Sequence, residues 1–113
     1  MSAERRKHPR FSKRLAVRVG NLDLHTTNVS ASGLQLSIPI SALSRLKQVL
    51  RNDRFEATVL LPDSRMLGMT GQVTYISDAG DEFLCGVRIE QFQAGAESAW
   101  TEYAASSTGP AAH

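Results

Sequence analysis

Asn28-Val29-Ser30-Ala31-Ser32-Gly33, followed by Leu34-Gln35-Leu36-Ser37-Ile38, is the stretch on which the reading of this chain turns. The first six residues are small and turn-forming. Asn and Ser side chains hydrogen-bond nearby backbone, and Gly33 allows a sharp reversal. In the second part Leu34, Leu36 and Ile38 alternate with Gln35 and Ser37, the period of a strand with one buried face.

The same period recurs on both sides. Leu15, Val17 and Val19 alternate with Arg14, Ala16 and Arg18; Gly20-Asn21 suits a two-residue hairpin turn, and Leu22 and Leu24 resume the pattern to about Thr27. Later strands are expected over Phe55–Leu61, over Arg65–Ile76 and through Phe83, Cys85, Val87 and Ile89. Gly68 and Gly71 interrupt the second of these, as bends and bulges in small barrels require. The period changes to helical over residues 42–51, where Leu43, Leu46 and Leu50 share a face, with Ser41 as N-cap and Asn52-Asp53 as stop. A second short helix is expected over residues 96–105, with Trp100 and Tyr103 covering an open end of the sheet. About six short strands with glycine-rich turns predict a mainly all-β fold, an antiparallel sheet that curls or closes.

The composition supports one domain. The chain has 113 residues, 42% of them hydrophobic and 21% charged, ordinary values for a soluble globular protein. A single cysteine, Cys85, forms no internal disulfide, and alternating with apolar neighbours it reads as a buried small hydrophobe. No apolar leader or membrane-length apolar run is visible, so the expected compartment is the cytoplasm, without membrane insertion. The net charge of +2 conceals an asymmetry: residues 4–18 carry seven bases against Glu4, whereas the rest carries six bases against ten acids. A basic amino end of this kind attracts anions.

Within that basic end, Arg5-Arg6-Lys7-His8-Pro9-Arg10 concentrates guanidinium groups on a segment that Pro9 keeps extended. A guanidinium pairs bidentately with phosphate or with the Hoogsteen edge of guanine, and it stacks on purines. Arg6 and Arg10, four residues apart, suit a planar anionic ligand gripped from a flexible arm over residues 1–13. The Asn28–Gly33 turn would supply the floor: Asn28 for a guanine edge, Ser30 and Ser32 for phosphate or ribose oxygens, Gly33 for close approach. Each half has a plain alternative, a solvated basic tail and an ordinary Asx-type turn respectively.

In order, R-x-x-x-R then N-x-S-x-x-G resembles the signature of the PilZ domain family. The resemblance covers roughly residues 5 to 92. Gly71-Gln72-Val73 is similar to one family strand and Gly86-Val87-Arg88-Ile89 to its closing strand. It implies a six-stranded antiparallel β-barrel with a C-terminal helix, and a role as receptor for cyclic di-GMP. Carried over by position, Arg6 and Arg10 are the paired arginines, while Asn28, Ser30 and Gly33 form the second motif. Asn28 stands where many members have aspartate. Arg5, just before the motif, goes in this family with binding of a stacked ligand pair. Tyr75 and Arg88 are further candidate contacts.

The expectation is therefore a basic arm over residues 1–13, a PilZ-like barrel with short inserted and C-terminal helices over 14–105, and a disordered tail over 106–113. It is a receptor or adaptor that orders its arm on cyclic di-GMP and so alters a surface for an unidentified downstream protein. No cofactor, metal or enzymatic activity is expected, since no nucleophile pairs with a base and the histidines are scattered. The rival readings are a protein-interaction module with a degenerate site, and salt-sensitive nucleic-acid binding by the arm; nucleic acid is the less expected partner.

Overall fold

The structure, a computed structural model, describes residues 11–107. In chain order the elements are β1 (Phe11–Ser12), β2 (Ala16–Val19), β3 (Leu22–Ser30), β4 (Gly33–Pro39), α1 (Ile40–Val49), β5 (Arg54–Leu60), β6 (Met66–Asp78), β7 (Glu82–Phe92) and α2 (Ala96–Ser107). All pairings are antiparallel. The sheet runs β3-β2-β5-β6-β7-β4, and β4 returns to pair with β3, so six strands close into a barrel. The short β1 lies beside β3 on the same side as β2, pairing Phe11 with Val29 and Ser12 with Asn28.

Alternation decides which side chains enter the barrel. β5 reads exposed and buried in strict turn, placing Phe55, Ala57 and Val59 inside and Glu56 and Thr58 outside. Val17, Leu36, Val59, Leu61 and Cys85 are all but inaccessible and fill the interior, as expected of a barrel too narrow for a channel. Each such aliphatic side chain contributes about 1.5–3 kcal/mol of transfer free energy. α1 closes the barrel over Ala42 and Leu46, and α2 seats Trp100 with no exposed surface.

The hairpin at Gly20-Asn21 forms as expected, with only Gly20 using positive φ (60°). Thr70/Gly71 marks a register shift in β6, and a second follows between Val73 and Tyr75. The inserted helix differs from expectation at both ends. It starts at Ile40 with Pro39 as N-cap (φ −57°, ψ 146°) and no side-chain cap, leaving Ser41 inside the first turn. Proline's fixed φ suits the helix entry, and its missing N–H costs nothing there. The helix stops at Val49, and Asn52 and Asp53 (φ 55° and 63°) instead make the tight turn into β5, with Arg51 and Arg54 exchanging 2.9 Å backbone bonds. Among the described residues, no helix is long and apolar enough to cross a membrane.

Of the segment expected as an arm, residues 1–10 lie outside the described residues, and Phe11–Ser12 are joined to the sheet as β1. Of the expected tail, Ser106 and Ser107 continue α2, and residues 108–113 lie outside the described residues.

Candidate functional site

The chain meets the barrel beside the second motif. Between β1 and β2 the chain leaves the ladder at Lys13–Leu15, and buried Thr26 bridges the gap with its side chain. Its Oγ1 accepts from Leu15 N at 2.8 Å and donates to Lys13 O at 2.5 Å, while Thr26 N donates to Leu15 O at 2.9 Å. A threonine suits this position because one hydroxyl is both donor and acceptor. The clamp fixes where β1 lies, and β1 pairs directly with Asn28 and Val29. Arg5, Arg6 and Arg10 lie outside the described residues; Arg10 is the residue before Phe11.

Asn28 sits in β3 rather than in the turn that follows. Thr26 opposes Leu36 and Asn28 opposes Gln35, so Thr27 is an extra residue, a β-bulge. Strict alternation would turn Asn28 inward after Thr27. The bulge resets the phase, so Thr27 and Asn28 are both half-exposed while Thr26 and Val29 are buried. Both meet Gln35: Thr27 Oγ1 donates to Gln35 Oε1 at 2.6 Å and Asn28 Nδ2 donates to the same oxygen at 3.2 Å. Gln35 Nε2 in turn donates to the Tyr75 hydroxyl at 2.5 Å. In the sheet Gln35 opposes Gly86, and Gly86 opposes Tyr75. Asn28, Gln35, Gly86 and Tyr75 thus form one row across four strands on the outer wall.

The turn itself is Ala31-Ser32, tighter than the six residues suggest. Buried Ser30 donates from its hydroxyl to Gly33 O at 3.3 Å, and its carbonyl accepts from Trp100 Nε1 at 3.0 Å. Ser32 is exposed, and its carbonyl accepts from Ile89 N at 2.9 Å. Gly33 lies so close to β7 that a Cβ there would stand 2.4 Å from Val87 O. Within this motif Asn28 and Ser32 face outward, while Ser30 and Gly33 hold the hairpin against β7 and α2.

The fold has known counterparts. The family model described as the PilZ domain matches residues 4–106. The chain belongs to the PilZ domain family. Among solved structures it is similar to the inhibitor of motility MotI/DgrA of Bacillus subtilis, with a TM-score of 0.72 at 17% identity. That match covers 90% of this chain and 50% of the other, so the chain spans half the length of that protein and the likeness is one of fold. No match was found among curated proteins. PilZ domains are ligand-binding receptors rather than enzymes, and the family is one of cyclic di-GMP receptors.

A second row lies beside the first on the wall of this PilZ barrel: Gly33 opposes Arg88, Arg88 opposes Gln72, and Gln72 opposes Arg54. Arg88 Nη2 donates to Gln72 Oε1 and, at 3.0 Å, to Glu90 Oε2; Arg54 Nε reaches Glu90 Oε1 at 2.5 Å. The hydrogen bonds from Arg54 and then Arg88 hold the Glu90 carboxyl below its ordinary range. Arg88, a candidate contact, is thus ion-paired here, in the row next to the one that carries Asn28.

Gln35 and Thr27 were not singled out from the sequence. Gln35 reads there as one more outward polar residue in an alternating strand. The legible signal was an amide two residues after Gly33, which a two-residue turn brings opposite Asn28.

Proposed function

We propose that this PilZ domain is a cyclic di-GMP receptor that grips its ligand between the arginines before Phe11 and the outer wall at Asn28 and Ser32. One observation carries the reading: β1, which directly follows the arginine motif in the sequence, pairs with Asn28 and Val29 of the second motif. Arg10 is one residue from Phe11, a Cα spacing of about 3.8 Å, and Arg6 is four residues further, at most about 14 Å of extended chain. That length of chain is enough for both guanidinium groups to reach a ligand resting on the Asn28–Gly33 hairpin without any rearrangement of the barrel.

Each group has a role its chemistry suits. Arg6 and Arg10 chelate phosphate or a guanine Hoogsteen edge and stack on purine faces, Arg5 serves a second, stacked ligand, and Asn28 takes a guanine edge. Ser32 offers a hydroxyl to phosphate or ribose. Ordering the arm costs about 1–2 kcal/mol per residue, which several charge-assisted bonds offset. The ordered arm then forms, with the barrel wall, a surface for a downstream protein in the cytoplasm, a disorder-to-order switch.

Calorimetric titration with cyclic di-GMP beside cyclic di-AMP, on the chain and on Arg10→Ala, tests this. Selective binding of the guanine ligand, weakened at least tenfold by Arg10→Ala, is the expected result. Absence of binding at micromolar ligand in low salt refutes it and leaves the interaction-module reading.

A further inference from the structure

We infer that Gln35 is a positioning residue that fixes which end of the Asn28 carboxamide meets the ligand, and thereby sets preference for guanine. This rests on the receptor reading above and concerns the same site. An asparagine amide has an acceptor end and a donor end of nearly equal size, so left alone it presents either. A guanine Watson–Crick edge offers N–H donors and needs the oxygen. Aspartate, common at this position in the family, offers oxygen at both ends and needs no such control.

In this chain the control comes from the orientation of the Gln35 amide, which faces Asn28 with its oxygen. Gln35 Oε1 takes the Thr27 hydroxyl at 2.6 Å and Asn28 Nδ2 at 3.2 Å. Its Nε2 end is committed to the Tyr75 hydroxyl at 2.5 Å. Two oxygens cannot hydrogen-bond, so with Oε1 turned toward it Gln35 takes the NH2 end of Asn28, and the Asn28 Oδ1 is directed away from Gln35. The bulge at Thr27 brings both donors to one acceptor, and Gly86 leaves the lane through which Tyr75 reaches across β7, since a Cβ there would stand 2.1 Å from the Tyr75 ring. Thr27, Gln35 and Tyr75 together replace what a carboxylate would do at position 28.

The test is a double-mutant cycle read by calorimetry with cyclic di-GMP and cyclic di-AMP. The four proteins are the unaltered chain, Gln35→Met, Asn28→Asp and the double variant. Methionine keeps the volume of Gln35 and removes its amide. Gln35→Met is expected to weaken cyclic di-GMP binding about tenfold with Asn28 present, the scale of one lost hydrogen bond, and to narrow the preference over cyclic di-AMP. With Asp at position 28 the same change is expected to cost less than about threefold, because either carboxylate end serves. Equal losses in both backgrounds, or no loss with Asn28, overturn the inference while leaving the receptor reading intact. Failure of the unaltered chain to bind overturns both. A ligand-free readout accompanies the cycle: the Asn28 side-chain amide protons are expected to exchange slowly in the unaltered chain and at least tenfold faster in Gln35→Met. Unchanged exchange also overturns the inference.

Discussion

The ring of Tyr75 lies over Gly86. A Cβ on Gly86 would stand 2.1 Å from Tyr75 Cε2, so the missing side chain lets Tyr75 cross β7, where its hydroxyl oxygen accepts from Gln35 Nε2 on β4. Gly33, one row away, has a different neighbour: a Cβ there would meet the Val87 carbonyl oxygen at 2.4 Å. A surface ring swings aside, whereas a backbone carbonyl held in a ladder does not. Gly86→Ala is therefore expected to cost under about 1 kcal/mol in urea unfolding while displacing the Tyr75 ring, visible in its NMR shifts. Gly33→Ala is expected to cost about 1–3 kcal/mol by forcing β4 and β7 apart. Equal costs at the two positions would show that the difference between ring and backbone is not what matters.

Trp100 couples α2 to the hairpin that carries the second motif. It is fully buried, and its Nε1 donates to Ser30 O at 3.0 Å across 70 residues of sequence. Trp100→Phe keeps most of the packing but leaves that carbonyl without its donor, an expected loss of about 1–3 kcal/mol. Trp100→Ala adds a cavity and is expected to cost about 3–5 kcal/mol. Chemical denaturation of the two variants checks both values, and amide exchange at Ser32 and Gly33 checks that the turn loosens with them.

Thr26 holds the entry of the chain to the barrel. Its buried hydroxyl serves Leu15 N and Lys13 O together. Thr26→Val keeps the shape and strands both backbone groups, so a destabilisation of about 1–3 kcal/mol is expected. Amide exchange at Leu15 should accelerate more than exchange at Val17, which stays in the β2 ladder. On the receptor reading the same variant weakens ligand binding, since β1 then no longer holds the arm beside Asn28.

Cys85 is inaccessible, and burial pushes its thiol up to about 11 from an ordinary 9.0. The fold favours the neutral thiol, so this contribution to stability is fully present below pH 9 and is lost as pH rises towards 11. Alkylation by iodoacetamide at pH 8 is expected to be slow in the native protein and to accelerate with urea in step with unfolding. The decline of Tm between pH 9 and 11 should be shallower in Cys85→Ala, whatever that variant's stability at neutral pH. A thiol that reacts freely in the native state would contradict the burial.

How far the site was legible follows from the same residues. Asn28 and Gly33 stand out in the sequence by residue type and spacing, because turn chemistry is local, although Asn28 lies in β3 and not in the turn. Gln35 was not, because its significance lies in Tyr75, 40 residues away. Ser41 looked like the natural N-cap, yet Pro39 starts the helix two residues earlier, where the chain leaves the ladder at Pro39↔Glu82.

The one-dimensional pattern determined which side of each strand meets the core, since side chains alternate along any extended backbone and water sorts apolar from polar locally. It also determined the hairpin at Gly20-Asn21, where one glycine supplies the required φ. Closure of β4 onto β3, the bulge that turns Asn28 outward, and the path of Tyr75 over Gly86 were decided only in three dimensions. Register and bulges depend on which strands end as neighbours, and those partners are brought together by packing rather than by adjacency in the chain.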